Sequence, residues 1–227
     1  MDRPAPRILT DDLLLLAYRP DTGRPFADAN RLQCGLAGAL VAEAVLAGVI
    51  MLDGGGRLHA TGKPRTGDPD VDGMADRIAA ESRPRKVTWW VQRLNKRGLR
   101  QRLVGRAVSV GVLTHEPGRV LWIFPVDNYR PQQQDHEQEA WGLRSVLLGH
   151  DAPDARSAAL LALIGAVRLD GKLFADVPAG DRRRRIKAVT DRDDIGRAVR
   201  EVIRSIETAV AAVAITAGAA GASGGGG

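Results

Sequence analysis

Cysteine is almost absent from this chain. Cys34 stands alone among 227 residues, so no disulfide framework can form, and a reducing cytosol is the compartment that composition fits. Aromatic residues make up only 4%. Ala, Val and Leu must therefore fill most of the core, which favours helices packed closely through small side chains. No apolar run reaches the ~18 residues that a spanning helix needs, and the opening MDRPAPRILTDD lacks a signal-peptide core. Sites for chemistry are scarce as well. His59, His115, His136 and His150 are scattered, and no His-x3-His or Cys-x2-Cys pair exists, so no metal is expected. Cys34 lies in an apolar segment and reads as an inert core thiol. Asp68, Asp70, Asp72 and Asp76 lack the remaining ligands of a calcium loop and read as turn, caps and solvated face. With no acid–base pair poised for chemistry, we expect no catalytic residue, no cofactor and no enzymatic activity.

What the chain does have is concentrated positive charge. From Arg83 to Arg106 there are nine cations and no acid, although the whole chain is only +6. They are Arg83, Arg85, Lys86, Arg93, Lys96, Arg97, Arg100, Arg102 and Arg106. Surface helices that carry basic residues for solubility normally intersperse acidic ones. A field concentrated in one segment points to a polyanionic partner, either a phospholipid surface or nucleic acid. Arginine dominates, and its planar fork grips phosphate oxygens in two places. Trp89 and Trp90 cannot both face one core from adjacent helical positions, so one is expected inside and the other beside the basic face.

The hydrophobic pattern predicts a mainly α single domain, a helical-bundle-like core with amphipathic helices and one or two β-hairpins. Residues 1–10 are expected to be a flexible N-terminus, 11–217 the domain, and 218–227 a disordered Gly/Ala/Ser tail. Helices are predicted at Asp11 to Tyr18, Leu32 to Ile50, Asp70 to Ile78, Val87 to Leu94 and Arg97 to Val110. Others follow at His136 to Gly149, Asp154 to Val167 and Asp193 to Ala217. Ile195, Val199, Val202, Ile206, Val210 and Val213 mark the buried side of the last. Glu43, the one charge in Leu32 to Ile50, argues against a membrane span there. Two hairpins are predicted. The first turns at Asp53 to Gly56. The second turns at HEPGR, with Val120 to Val126 as the return strand and Leu121, Trp122, Ile123 and Phe124 in a row along it.

The order of these features resembles the Golgi phosphoprotein 3 family, and a bacterial-type member in particular. The matching parts are DDLLLLAY, GLAGALVAEAVLAGVI, TGDPDVD, RGLRQRLVGRAVSVGVL, LWIFPV and RSAALLALIGAV, spread from about Asp11 to Ala214. The resemblance implies a mostly helical domain with a hairpin projecting from its lipid-facing side, and binding of phosphatidylinositol 4-phosphate. It places Arg97 and Arg100 on the family's pair of headgroup arginines. The family's pocket tryptophan and its remaining arginine fall on Asp28 and Ala37 here. The hairpin becomes a contact for membrane or for a second subunit, which would give a homo-oligomer.

The expected role is a cytoplasmic, peripheral membrane protein on the cytosolic membrane face. Its partner is an anionic phospholipid or phosphoinositide. Arg97 and Arg100, supported by Arg93, Lys96 and Arg102, hold the headgroup; Trp90, Leu121, Trp122, Ile123 and Phe124 contact the membrane. The alternative is a winged-helix-like nucleic-acid binder, since a basic helix closed by glycine and followed by a hairpin also reads that way. The apolar Leu121 to Phe124 weighs against it, because a DNA-contacting wing carries basic residues at its tip. A scaffold for an acidic protein would use the same patch.

Overall fold

The computed structural model describes residues 7–94, 97–120, 124–192 and 196–222, with the side chains at 97, 119, 120, 124–126, 198 and 213–222 also outside the description. The first apolar run is helix α1 (Leu9–Ala17), buried along its whole length. A helix that is apolar on all sides has to sit inside a bundle. Ile8, Leu9 and Thr10 are buried too, so the domain begins earlier than the expected boundary at residue 11. Asp11 and Asp12 lie in its first turn and are themselves buried.

Helix α2 (Ala29–Leu46) runs through the centre, and Asp28 caps its start by accepting the Asn30 and Arg31 N–H groups. A Cβ added at Gly38 would lie 2.7 Å from Ile206 Cγ2. The absence of a side chain there lets the last helix pack directly on α2. Glu43 accepts the Leu9 N–H at 2.6 Å and pairs with Arg156 at 3.0 Å. A charge that cannot be left alone in the interior is thereby satisfied from two other helices.

A three-stranded sheet follows, in the order β1 (Ile50–Leu52), β2 (Arg57–Ala60), β3 (Arg85–Lys86). The first pair is the expected hairpin; the third strand is an addition the local pattern did not announce. Asp53 holds the turn by accepting the Gly55 and Arg57 N–H groups at 2.8 and 3.0 Å, with His59 Nε2 2.9 Å away. The His59 hydrogen bond, followed by these backbone donors, lowers the Asp53 pKa to about 2. Its folded value is thus below the ordinary one. The turn's contribution is full above the ordinary carboxylate range and is lost as pH falls towards about 2. An NMR titration of the Asp53 carboxyl should find its midpoint near that value; a midpoint in the ordinary range would mean the turn is not held this way.

Helices α3 (Pro69–Ala79), α4 (Val87–Leu94) and α5 (Arg97–Ser109) surround one side of α2. Gly111 closes α5 at φ 78°, the left-handed conformation expected of a C-terminal glycine. The second hairpin is longer than predicted and turns elsewhere. Strands β4 (Leu113–Val120) and β5 (Phe124–Pro131) pair without interruption from Leu113↔Pro131 to Val120↔Phe124. HEPGR is therefore part of a strand and not the turn. Pro117 is tolerated because a two-stranded ribbon has only edge strands, where a missing N–H need not break a ladder. Eight residues of strand reach about 27 Å. At its base Tyr129 donates its N–H to Gly23 O, and Arg130 bonds Pro20 O and Glu116.

The other side of α2 is covered by α7 (Ala155–Ala166) and α10 (Arg197–Ala222), while α6 (Gln133–Leu148) and α9 (Ala179–Thr190) pack on α7, with the short α8 (Asp170–Leu173) between α7 and α9 in the chain. Asp154 caps α7 by accepting the Ser157 N–H at 2.7 Å. In α10, Val199, Val202, Ile206 and Val210 are buried as their spacing predicts. The side chains of Ile195 and Val213 lie outside the description. The helix continues to Ala222, past the expected end at Ala217.

Candidate functional site

The basic segment does not present nine open charges. Arg106 projects inward from α5, is only 10% exposed, and pairs with Asp11 of α1 and with Asp68 Oδ2 at 2.5 Å. Burial draws the Arg106 pKa down, but the two carboxylates outweigh it and hold it above its ordinary value. For Asp11, burial dominates over the Arg106 and Ile8 donors and pushes the carboxyl up. The firm side of this pair is Arg106, which has two acids to itself and stays charged. Arg102 pairs with Asp70 at 2.6 Å, and Arg85 lies 3.6 Å from Glu81. The acidic cluster is thus largely the counterpart of the basic helix. Asp68 also caps α3, Asp72 accepts the Thr66 and Gly67 N–H groups, and Asp76 binds Arg65. Asp70 and Asp72 are buried, not on the solvated face expected of them.

Arg100 is different. It is partly buried, and its guanidinium donates to the Tyr18 hydroxyl at 3.3 Å. That partner is neutral, so the positive charge is oriented without being cancelled. Tyr18 ends α1 and meets Tyr129 of β5 edge-on, with ring centroids 5.8 Å apart, while His115 of β4 stacks on Tyr129 at 5.1 Å. Burial first, then the neighbouring Asp127 and Tyr18, raise the Tyr129 pKa against the pull of Arg100. Arg100 therefore stands where α1, α5 and the hairpin base converge. The side chain of Arg97 and all of Lys96 lie outside the described residues.

Arg93 and Arg102 meet elsewhere. They line a cleft of about 530 Å³ between α3, α4 and α5, together with Arg77, Glu81, Trp90 and Leu99. Arg77 belongs to α3 and had no sequence signal tying it to this group. The expected membrane contact by Trp90 needs correcting. Its side chain is buried at 3% exposure, whereas Trp89 is the partly exposed ring. Trp89 meets Trp90 edge-on at 4.9 Å and carries the Arg85 and Arg93 guanidinium groups at 4.9 and 5.4 Å. The helix turns position 90, with Val87, Val91 and Leu94, onto the core. Its neighbour at 89 is thereby left to the cations.

Leu121, Trp122 and Ile123 lie outside the described residues, as does the side chain of Phe124, whose backbone opens β5. Of the family's other pocket positions, Asp28 is an exposed helix cap and Ala37 is fully buried in α2. Cys34 is buried, and burial pushes its thiol up to about 11. Among the described residues no group of three or more His, Cys, Asp or Glu could hold a metal ion. No described helix is long and apolar enough to cross a membrane. The family described as Golgi phosphoprotein 3 (GPP34) matches this chain over residues 9–206. No curated protein matches it.

Proposed function

This chain belongs to the Golgi phosphoprotein 3 family, and from that premise we propose that it is a peripheral membrane protein that holds anionic phospholipid headgroups. The observation that carries the reading is Arg100. Of the α5 arginines with described side chains, Arg102 and Arg106 are matched by carboxylates, while Arg100 meets only a tyrosine hydroxyl. A guanidinium held in place but not neutralised is suited to an incoming phosphate. Arg97, one turn away on the same helix, is its natural partner for a headgroup phosphate. Arg93 and Arg102, with Arg77 beside them, add field from the adjoining cleft.

The hairpin supplies the second element. The sequence between its two strands, Leu-Trp-Ile, is apolar, a composition suited to shallow insertion among acyl chains. Together these features favour a binding role over a catalytic one; the cytosolic membrane face is part of the proposal. Phosphatidylinositol 4-phosphate is the finer choice of ligand that family membership suggests. Flotation with phosphatidylcholine vesicles, alone or containing phosphatidylserine or phosphatidylinositol 4-phosphate, tests the reading. The protein should float with the anionic vesicles and release as salt rises. Equal recovery with neutral and anionic vesicles would overturn it, and a gel shift at the same ionic strength would favour the nucleic-acid alternative.

A further inference from the structure

A second cationic cleft lies on the three-stranded sheet, apart from Arg97 and Arg100. It encloses about 380 Å³ and is lined by Arg57, Arg83, Arg85, Lys86, Trp89 and Gln92. No carboxylate is among its lining residues. Asp53 is engaged with His59 and its own turn, while Glu81 lies 3.6 Å from Arg85 and so offsets one of the lining cations.

Two features single this cleft out. The β2–β3 register sets Arg57 directly opposite Lys86, and like charges facing each other across antiparallel strands repel. Arg83, three residues before Lys86, is exposed, and no described carboxylate pairs with any of these three cations. A local rule broken without compensation marks a place where function outweighs stability. The second feature is orientation. The Arg85 guanidinium sits over the Trp89 ring, 4.9 Å from its centroid, and Arg57 is steadied by donating to Pro84 O at 3.4 Å. Both guanidinium groups are therefore placed in advance of any ligand, which lowers the entropy lost on binding.

We propose that Arg57, Arg83, Arg85 and Lys86, backed by Trp89, form a binding site for a phosphomonoester or pyrophosphate group, separate from the headgroup site on α5. Arg57, Arg83 and Lys86, with no described carboxylate partner, converge beside the Glu81-paired Arg85, and that surplus of positive charge complements a dianion. The group can come from a lipid headgroup or from a soluble phosphate, since the recognised chemistry is the same.

Isothermal titration of the full chain with inorganic pyrophosphate at low salt tests the site. A variant carrying Arg57→Gln, Arg83→Gln and Lys86→Gln changes only exposed residues. A control carrying Lys63→Gln, Lys172→Gln and Arg184→Gln removes the same charge elsewhere. Pyrophosphate should bind the parent chain and the control, and bind the first variant at least about tenfold more weakly. Arg97→Ala/Arg100→Ala should leave this titration unchanged, which separates its failure from failure of the headgroup reading. Vesicles containing phosphatidylinositol 4-phosphate then identify the source. Weaker flotation of the first variant than of the control assigns the site to lipid, and equal flotation assigns it to soluble phosphate. Absence of pyrophosphate binding by the parent, or equal weakening in variant and control, overturns the proposal.

Discussion

Changing Arg97 and Arg100 together to alanine should weaken binding to anionic vesicles by about 30-fold. Each basic residue near such a surface contributes about 1 kcal/mol, and about 2 kcal/mol corresponds to that ratio. The loss should exceed that of removing any two exposed cations elsewhere, because Arg100 is oriented by Tyr18 and is not searching solvent. Tyr18→Phe provides a finer probe. It deletes the hydroxyl that steadies Arg100 while keeping the buried ring, so binding should fall only severalfold and the fold should be retained. Flotation or surface plasmon resonance on supported bilayers reads both. Undiminished vesicle binding by the double variant would remove α5 from the headgroup site.

Arg106→Ala should be the most destabilising change within the basic segment, by about 3–5 kcal/mol, because it leaves the buried Asp11 carboxyl and the neighbouring Asp68 without their shared cation. At about 2–4 °C per kcal/mol for a chain of this size, the melting temperature should drop by roughly 6–20 °C. A double-mutant cycle separates the pair from its burial. Asp11→Leu combined with Arg106→Met should recover part of the loss, since it removes the most deeply buried carboxyl together with its cation and leaves only Asp68 unpaired. If Arg106→Ala melts like the parent protein, the arginine is not held between Asp11 and Asp68. The contrast with Arg100, on the same helix, separates a cation used for folding from one kept for a ligand.

The same pair of arginines marks where reading the sequence stops. Local pattern predicts α5, its apolar stripe at Leu99, Leu103 and Ala107, and its glycine terminus, because periodicity and capping depend on residues close in the chain. Nothing local distinguishes Arg106 from Arg100. Their difference comes from Asp11, Asp68 and Tyr18, all far away in sequence. Trp89 and Trp90 are a milder case. Their spacing requires one inside and one outside, but which is which depends on how α4 sits against the core. The second hairpin shows the opposite weakness, for its most turn-like segment, HEPGR, yields to a register set by pairing along the whole ribbon.

The amino-acid sequence by itself determined the mainly α architecture, most helix positions, the first hairpin and the family, since each rests on short-range periodicity or on the order of motifs along the chain. Only the tertiary structure decided which charges remain available to a ligand. Ion pairing is a matter of distance in space, and the acids that neutralise Arg102 and Arg106 arrive from α1 and from the start of α3. It also brought Arg57 of β2 opposite Lys86 of β3, making a concentration of charge that no stretch of sequence contains.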